Sequence, residues 1–187
     1  SFINDKLVTK FINRVKKESV LGKTKVNKDV KIIYTPLHGT GLKPVTRILE
    51  ESGFNNVVVV KEQALPDGEF TTCPFPNPEL HEAMALGMEY AKRENAELLL
   101  ATDPDADRVG IAVKNGKDFQ ILSGNQTGIL LLNFICELRK ENKKMPKNAY
   151  AVKSLVSTAL ADKIAKYHKV KMHSVLTGFK YIGELVT

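Results

Sequence analysis

The stretch Leu98-Leu99-Leu100-Ala101-Thr102-Asp103-Pro104-Asp105-Ala106-Asp107-Arg108-Val109-Gly110 decides the fold. Its first five residues read as a buried strand, and the chain then enters a loop with an acid at every second position. In an extended or gently curved loop, alternate side chains project to one side. Asp103, Asp105 and Asp107 can therefore converge on one point. Uncompensated, three carboxylates would repel each other there, and a hard divalent cation with oxygen ligands answers best. Mg²⁺ takes few protein carboxylates and keeps positions for phosphate oxygens, which points to phosphoryl chemistry. Arg108 follows at once with a planar donor fork suited to phosphate. The loop leaves the carboxyl end of a strand, where open α/β sheets bind ligands. A solvated acidic turn is the plain alternative.

Two sharper rivals share part of the pattern. A calcium-binding helix–loop–helix needs Gly at loop position six and Glu at position twelve, but here those positions hold Arg108 and Lys114. Haloacid-dehalogenase phosphatases place Asp-x-Asp after a strand, as Asp103 and Asp105 do. They also carry a paired-acid motif downstream, and no two adjacent acids follow Asp107.

Outward from the loop, the chain alternates strand and helix. Val109–Val113 and Phe119–Leu122 flank Asn115-Gly116, a strong hairpin signal. Upstream, Val30–Thr35 reads as a strand. The turn Pro36-Leu37-His38-Gly39-Thr40-Gly41 leads from it into a helix over about 43–52, closed by Gly53. Val57–Val60 suits a strand buried on both faces. Residues 64–78 hold four prolines and Asp67-Gly68, an irregular loop. Asn77 can cap, and Pro78 can start, a helix running to about Asn95. At the start of the chain, Phe2, Ile3, Leu7, Val8, Phe11, Ile12 and Val15 repeat at helical spacing, giving an amphipathic helix to about Ser19 and a connector over 22–29. Beyond 122, a helix to about Glu141, a strand at Tyr150–Lys153, a helix over 157–167, a strand at Val170–Val175 and a further helix start form a second α/β run. Two strands with three helices make an incomplete sheet with an open edge.

Composition sets the broad class. With 43% hydrophobic and 26% charged residues the chain is ordinary for a globular protein. No apolar run approaches the roughly 18 residues needed to cross a bilayer, so no membrane partner is expected. Cys73 and Cys136 lack metal-ligand spacing and are too few for a disulfide framework, which makes a reducing, cytoplasmic setting the default. The net charge of +7 is unevenly spread. Residues 1–31 hold nine Lys/Arg against three acids, 32–136 eight against fourteen, and 137–171 ten against three. Basic end regions around an acidic middle, with no Trp, do not make a nucleic-acid face. No nucleic-acid partner is expected.

Four landmarks in order give the chain a family resemblance over about residues 28–187. They are Thr35-Pro36-Leu37-His38-Gly39-Thr40-Gly41; Pro74-Phe75-Pro76-Asn77-Pro78-Glu79; Asp103-Pro104-Asp105-Ala106-Asp107-Arg108, followed by Val109-Gly110; and Thr177-Gly178-Phe179-Lys180-Tyr181-Ile182. The chain resembles the α-D-phosphohexomutases, the family of phosphoglucomutase and phosphomannomutase. The resemblance implies two consecutive α/β mixed-sheet domains of the phosphohexomutase type, the second truncated. Residues 1–28 would be a linker helix and connector, 29–122 domain II with the metal loop, and 123–187 the N-terminal part of domain III.

It further implies that Asp103, Asp105 and Asp107 hold Mg²⁺ beside a phosphoserine oxygen, with Arg108 at the phosphate. His38 would lie near the catalytic cleft; a turn histidine satisfying backbone groups is its plain alternative. Gly178, Phe179 and Lys180 match a substrate-binding loop, although Phe179 also reads as core packing and Lys180 as a solvated helix-start lysine. Lys153, at the end of a strand, is a further candidate. The implied reaction phosphorylates a hexose (or pentose) phosphate from the phosphoserine, and the hexose bisphosphate turns over before returning its other phosphate. No Thr-Ala-Ser-His-Asn-Pro-like phosphoserine loop occurs here, and domains I and IV are missing partners of the same polypeptide. The chain alone is therefore expected to be inactive. A non-catalytic metal- or phosphosugar-binding protein is the alternative of a different class.

Overall fold

The structure, a computed structural model, describes residues 3–186. Phe2, read as part of the first apolar face, and the helix end at Thr187 lie outside the described residues. The chain forms two compact units. One comprises the residues up to Ser19 with Val26–Ser123, the other Val20–Lys25 with the residues from Gly124 onward.

The first unit contains α1 (Asp5–Lys16), β1 (Ile32–Thr35), α2 (Leu42–Glu51), β2 (Val57–Val59), α3 (His81–Arg93), β3 (Leu98–Thr102), β4 (Val109–Asn115) and β5 (Asp118–Leu122). Its sheet runs in the order β2-β1-β3-β4-β5. The strands joined through helices, β2, β1 and β3, are parallel, as helical crossovers require. β4 and β5 are antiparallel, joined by the two-residue turn Gly116-Lys117, in which Gly116 takes φ 64°. Ile33, Tyr34, Leu99 and Ala101 in the central strands are fully buried, and Ile33, Leu99 and Ala101 share one core with Met84, Met88 and Ala91 of α3. Each large side chain removed from water there contributes about 1.5–3 kcal/mol.

Two expectations are corrected. Val57–Val59 form an edge strand and are half-buried rather than enclosed on both faces. A run of valines does not reveal how many neighbours a strand has. The third helix begins at His81, not at Pro78, because Asn77 turns its Oδ1 onto the Glu79 amide at 3.0 Å and holds a separate turn ahead of it. The opening helix α1 lies against α2: Lys16 pairs with Glu51 at 3.0 Å and Arg47 donates to Thr9 Oγ1 at 2.9 Å.

The second unit contains α4 (Gly124–Glu141), β6 (Tyr150–Ser154), α5 (Leu160–His168), β7 (Lys171–Val175) and α6 (Phe179–Val186). β6 and β7 are parallel neighbours joined through α5. Cys136, Ala165 and Val170 form a small core with Leu132, Met145 and Met172. Asn142, just past α4, donates to the Val20 carbonyl at 3.1 Å and so fastens 20–25 to this unit. Among the described residues each of its two strands is paired on one side only.

Candidate metal centre

In the first unit, β1 and β3 are adjacent and parallel, but their connections diverge: β1 crosses through α2 to β2, whereas β3 turns back into β4. Such a switch point opens a crevice beyond the carboxyl ends of the strands. Two loops meet there, Pro36–Gly41 after β1 and Asp103–Arg108 after β3.

The acidic loop is a tight hairpin connection rather than an extended segment. The Ala106 amide donates to the Asp103 carbonyl at 3.0 Å, and Ala106 takes the left-handed φ of 60°. The carboxylates therefore converge because the turn folds them together, not through strand-like alternation. One oxygen from each of Asp103, Asp105 and Asp107 lies within 4.8 Å of the others. Asp103 is buried at 1% exposure, while Asp105 and Asp107 are exposed.

Arg108 organises the deepest carboxylate. Its amide donates to Asp103 Oδ1 at 2.9 Å and its Nε to Oδ2 at 2.7 Å. Burial works to raise the Asp103 carboxyl, but the two Arg108 hydrogen bonds and the guanidinium charge hold it below the usual carboxylate value. Asp107 moves the other way: chiefly the charge of Asp105, with some desolvation and the charge of Asp103, raises it. Asp103 in turn keeps the Arg108 guanidinium firmly protonated. The terminal nitrogens of Arg108 form no hydrogen bond among the described residues. Three carboxylates within 4.8 Å, in which the charge of Asp105 raises Asp107, make an anionic donor set that fits a hard divalent cation such as Mg²⁺.

The Pro36–Gly41 turn is pressed against this loop. Thr40 donates to the Pro104 carbonyl from its amide at 2.8 Å and from its hydroxyl at 3.1 Å. A Cβ on Gly39 would stand 2.3 Å from the Pro104 Cα, so only glycine allows this approach. On the opposite side, Phe75, Pro76, Asn77 and Leu80 face Asp103, Asp105 and Arg108 across a cavity of about 520 Å³. His38 does not line that cavity. Its ring is buried, with Nδ1 3.1 Å from the Leu65 carbonyl and Nε2 2.8 Å from Thr72 Oγ1.

In the second unit, Gly178 takes φ 134°, open to glycine alone among ordinary residues, and precedes α6. Phe179 is 86% exposed, which excludes core packing within this unit. Lys180 is exposed, its Nζ 4.8 Å from the centre of the Tyr181 ring. Lys153 is committed to its own unit, bonded to Asp162 at 2.6 Å and to the Thr158 carbonyl at 3.2 Å. Sequence reasoning passed over Thr40 and Thr72. Thr40 lies inside a quoted motif and was findable there. Thr72 carries no signal, because its partner is 34 residues away.

The fold and the loop define a mixed α/β domain with a carboxylate cluster at its topological switch point, followed by a second α/β unit. Comparison with known proteins gives the family. The description "Phosphoglucomutase/phosphomannomutase, alpha/beta/alpha domain II" matches residues 9–116, and the corresponding domain III matches 123–187. The chain belongs to the phosphoglucomutase/phosphomannomutase family. It is 34% identical over 186 residues to a phosphomannomutase of Mycoplasmoides pirum, covering 100% of this chain and 34% of that protein. It is 42% identical over 159 residues to a phosphoglucomutase of Staphylococcus saprophyticus, covering 84% of this chain and 28% of that protein. A crystal structure of a phosphoglucomutase/phosphomannomutase family protein from Burkholderia thailandensis shares the fold at TM-score 0.73 and 19% identity, over 96% of this chain and 35% of that one. The chain thus spans about a third of the length of the curated relatives it matches.

Proposed function

We propose that the chain is the metal-binding part of a phosphohexomutase, an enzyme that moves a phosphoryl group between the 1- and 6-positions of a hexose phosphate. The reading is carried by the convergence of Asp103, Asp105 and Asp107 within 4.8 Å at the switch point, in a chain of this family. The three carboxylates would hold Mg²⁺, with a phosphoserine of the longer parent beside them. The ion, when bound, supplies positive charge that offsets the charge on a phosphoryl group in transfer. Arg108 uses Nε to fix Asp103 and leaves its terminal nitrogens to orient a phosphate. Gly178, Phe179 and Lys180, on an exposed loop and helix start, would receive the phosphate or ring of a hexose or pentose phosphate, or of the bisphosphate formed from it.

With no phosphoserine loop in its sequence, the chain alone would lack turnover. Domains I and IV of the parent would complete the machinery. Two buried free cysteines suit the cytoplasm, and no helix among the described residues is long and apolar enough to cross a membrane. Titration calorimetry of Mg²⁺ into the chain and into Asp105→Asn tests the reading. Weak binding by the unsubstituted chain, lost in the variant, is expected; equal affinity in both refutes it.

A further inference from the structure

The turn Pro36–Gly41 touches the aspartate wall of the cavity directly and the loop that leads into its opposite wall. On one side Thr40 and Gly39 meet Pro104, between two of the carboxylates. On the other side His38 reaches into the proline-rich loop whose far end, Phe75 to Asn77, forms the opposite wall.

That second connection is made at three points. The His38 amide donates to the Gln63 carbonyl at 2.9 Å. The Leu65 carbonyl can only accept, so the ring carries its proton on Nδ1. In the neutral ring Nε2 is then the acceptor, and the Thr72 hydroxyl, 2.8 Å away, donates to it. The Phe70 ring meets the imidazole edge-on at 6.3 Å. Between these anchors the loop is already folded on itself, because Asp67 accepts from the Glu69 and Thr71 amides and from the Thr71 hydroxyl. The imidazole thus holds a preformed loop at two positions seven residues apart. Farther along, that loop meets β4: a Cβ on Gly110 would lie 2.3 Å from the Pro78 carbonyl oxygen. With both ring nitrogens engaged and the residue 6% exposed, His38 offers no free ring nitrogen to the cavity.

We propose that His38 is a positioning residue of the cation site: through Leu65 and Thr72 it fastens the proline-rich wall to the turn that seats the aspartate loop. The inference rests on the reading of Asp103, Asp105 and Asp107 as cation ligands. It assigns the histidine a role acting through its neighbours, not on a reacting group.

The test is Mn²⁺ binding to the 187-residue chain, followed by loss of the free-ion electron paramagnetic resonance signal, with circular dichroism confirming the fold of each variant. Thr72→Val keeps the volume but removes the hydroxyl proton. It is expected to weaken Mn²⁺ binding about three- to tenfold, the range for one lost hydrogen bond, and Thr72→Ser is expected to restore it. His38 has φ 63°, a conformation asparagine accepts readily. His38→Asn therefore keeps the backbone and an amide for Leu65 while losing Thr72. Because the two substitutions break the same bond, the double variant should bind no more weakly than the weaker single one. Wild-type affinity in Thr72→Val, failure of Thr72→Ser to rescue, or additive losses would overturn the positioning role while Asp105→Asn still abolishes binding. Undiminished binding in Asp105→Asn would overturn the cation reading beneath it, and the positioning role with it.

Discussion

Gly39→Ala is the sharpest perturbation the structure offers. The new methyl carbon would arrive 2.3 Å from the Pro104 Cα and 2.5 Å from its carbonyl oxygen. Carbon atoms settle at about 3.5–4.0 Å, so one of the two backbones must retreat by roughly 1 Å or more. Gly39 does not occupy the left-handed region, so alanine is not strained by its own dihedrals and the contact alone acts. Neither side yields easily, since both are main chain and Thr40 ties them at 2.8 Å. Pro104 stands between Asp103 and Asp105, and its displacement passes directly to both carboxylates. Mg²⁺ holds oxygens at about 2.0–2.1 Å in near-ideal geometry, which leaves no room for an error of that size. We expect Mn²⁺ affinity to fall at least about tenfold, as when the support of a metal ligand is removed. The overpacking should also cost about 1–3 kcal/mol of stability. The assay is Mn²⁺ titration by electron paramagnetic resonance, with urea unfolding of the same samples. Affinity unchanged in a folded Gly39→Ala chain would show that the turn does not seat the aspartate loop, and the reasoning fails.

Two further outcomes follow from charge. Asp107 is raised chiefly by the charge of Asp105, so its ionised form costs the metal-free fold stability, and the cost is relieved as pH falls through its folded value. Asp107→Asn should therefore melt higher than the unsubstituted chain in chelator at pH 7, converge with it in acid, and gain less from added Mg²⁺; a lower melting temperature in chelator would contradict this. In the second unit, burial and then the charge of Lys140 depress His168, against an opposing pull from Glu137. Among the described residues its buried Nδ1 has no hydrogen-bond partner, while Nε2 meets Asn133 Oδ1 at 2.7 Å. A histidine whose folded value is lowered contributes stability above the unfolded value of about 6.5 and loses it as pH falls from there toward the folded value. Thermal melts should decline over that window, and less steeply in His168→Gln; parallel declines would place the acid sensitivity elsewhere.

What the sequence made legible was what repeats locally. The strands on either side of the acidic loop are patterns of near neighbours, and the hairpin at Asn115-Gly116 is a two-residue signal; both strands stand in the structure, and the hairpin turns one residue later, at Gly116-Lys117. The three aspartates were equally legible, although the reason for their convergence was not. Alternation along an extended segment and a turn with Ala106 left-handed place the same residues together, and only the hydrogen bond from Ala106 to Asp103 separates the two cases.

The environment of His38 was illegible for a different cause. Its partners lie 27 and 34 residues away, in a loop with no periodicity to fix where each residue points. The edge position of Val57–Val59 was hidden likewise, because strand order is a property of the sheet, and four valines look alike in its middle or at its margin. The same distinction explains the site. Under the cation-site reading, ligand identity would reside in Asp-x-Asp-x-Asp, a local feature, while the seating of that loop would depend on contacts between loops. Gly39 against Pro104 and His38 against Thr72 are those contacts. A chain that kept the aspartates and lost the contacts would keep the acidic signature while surrendering the affinity, which is why substitutions outside the acidic loop discriminate between a built cation site and a merely acidic turn.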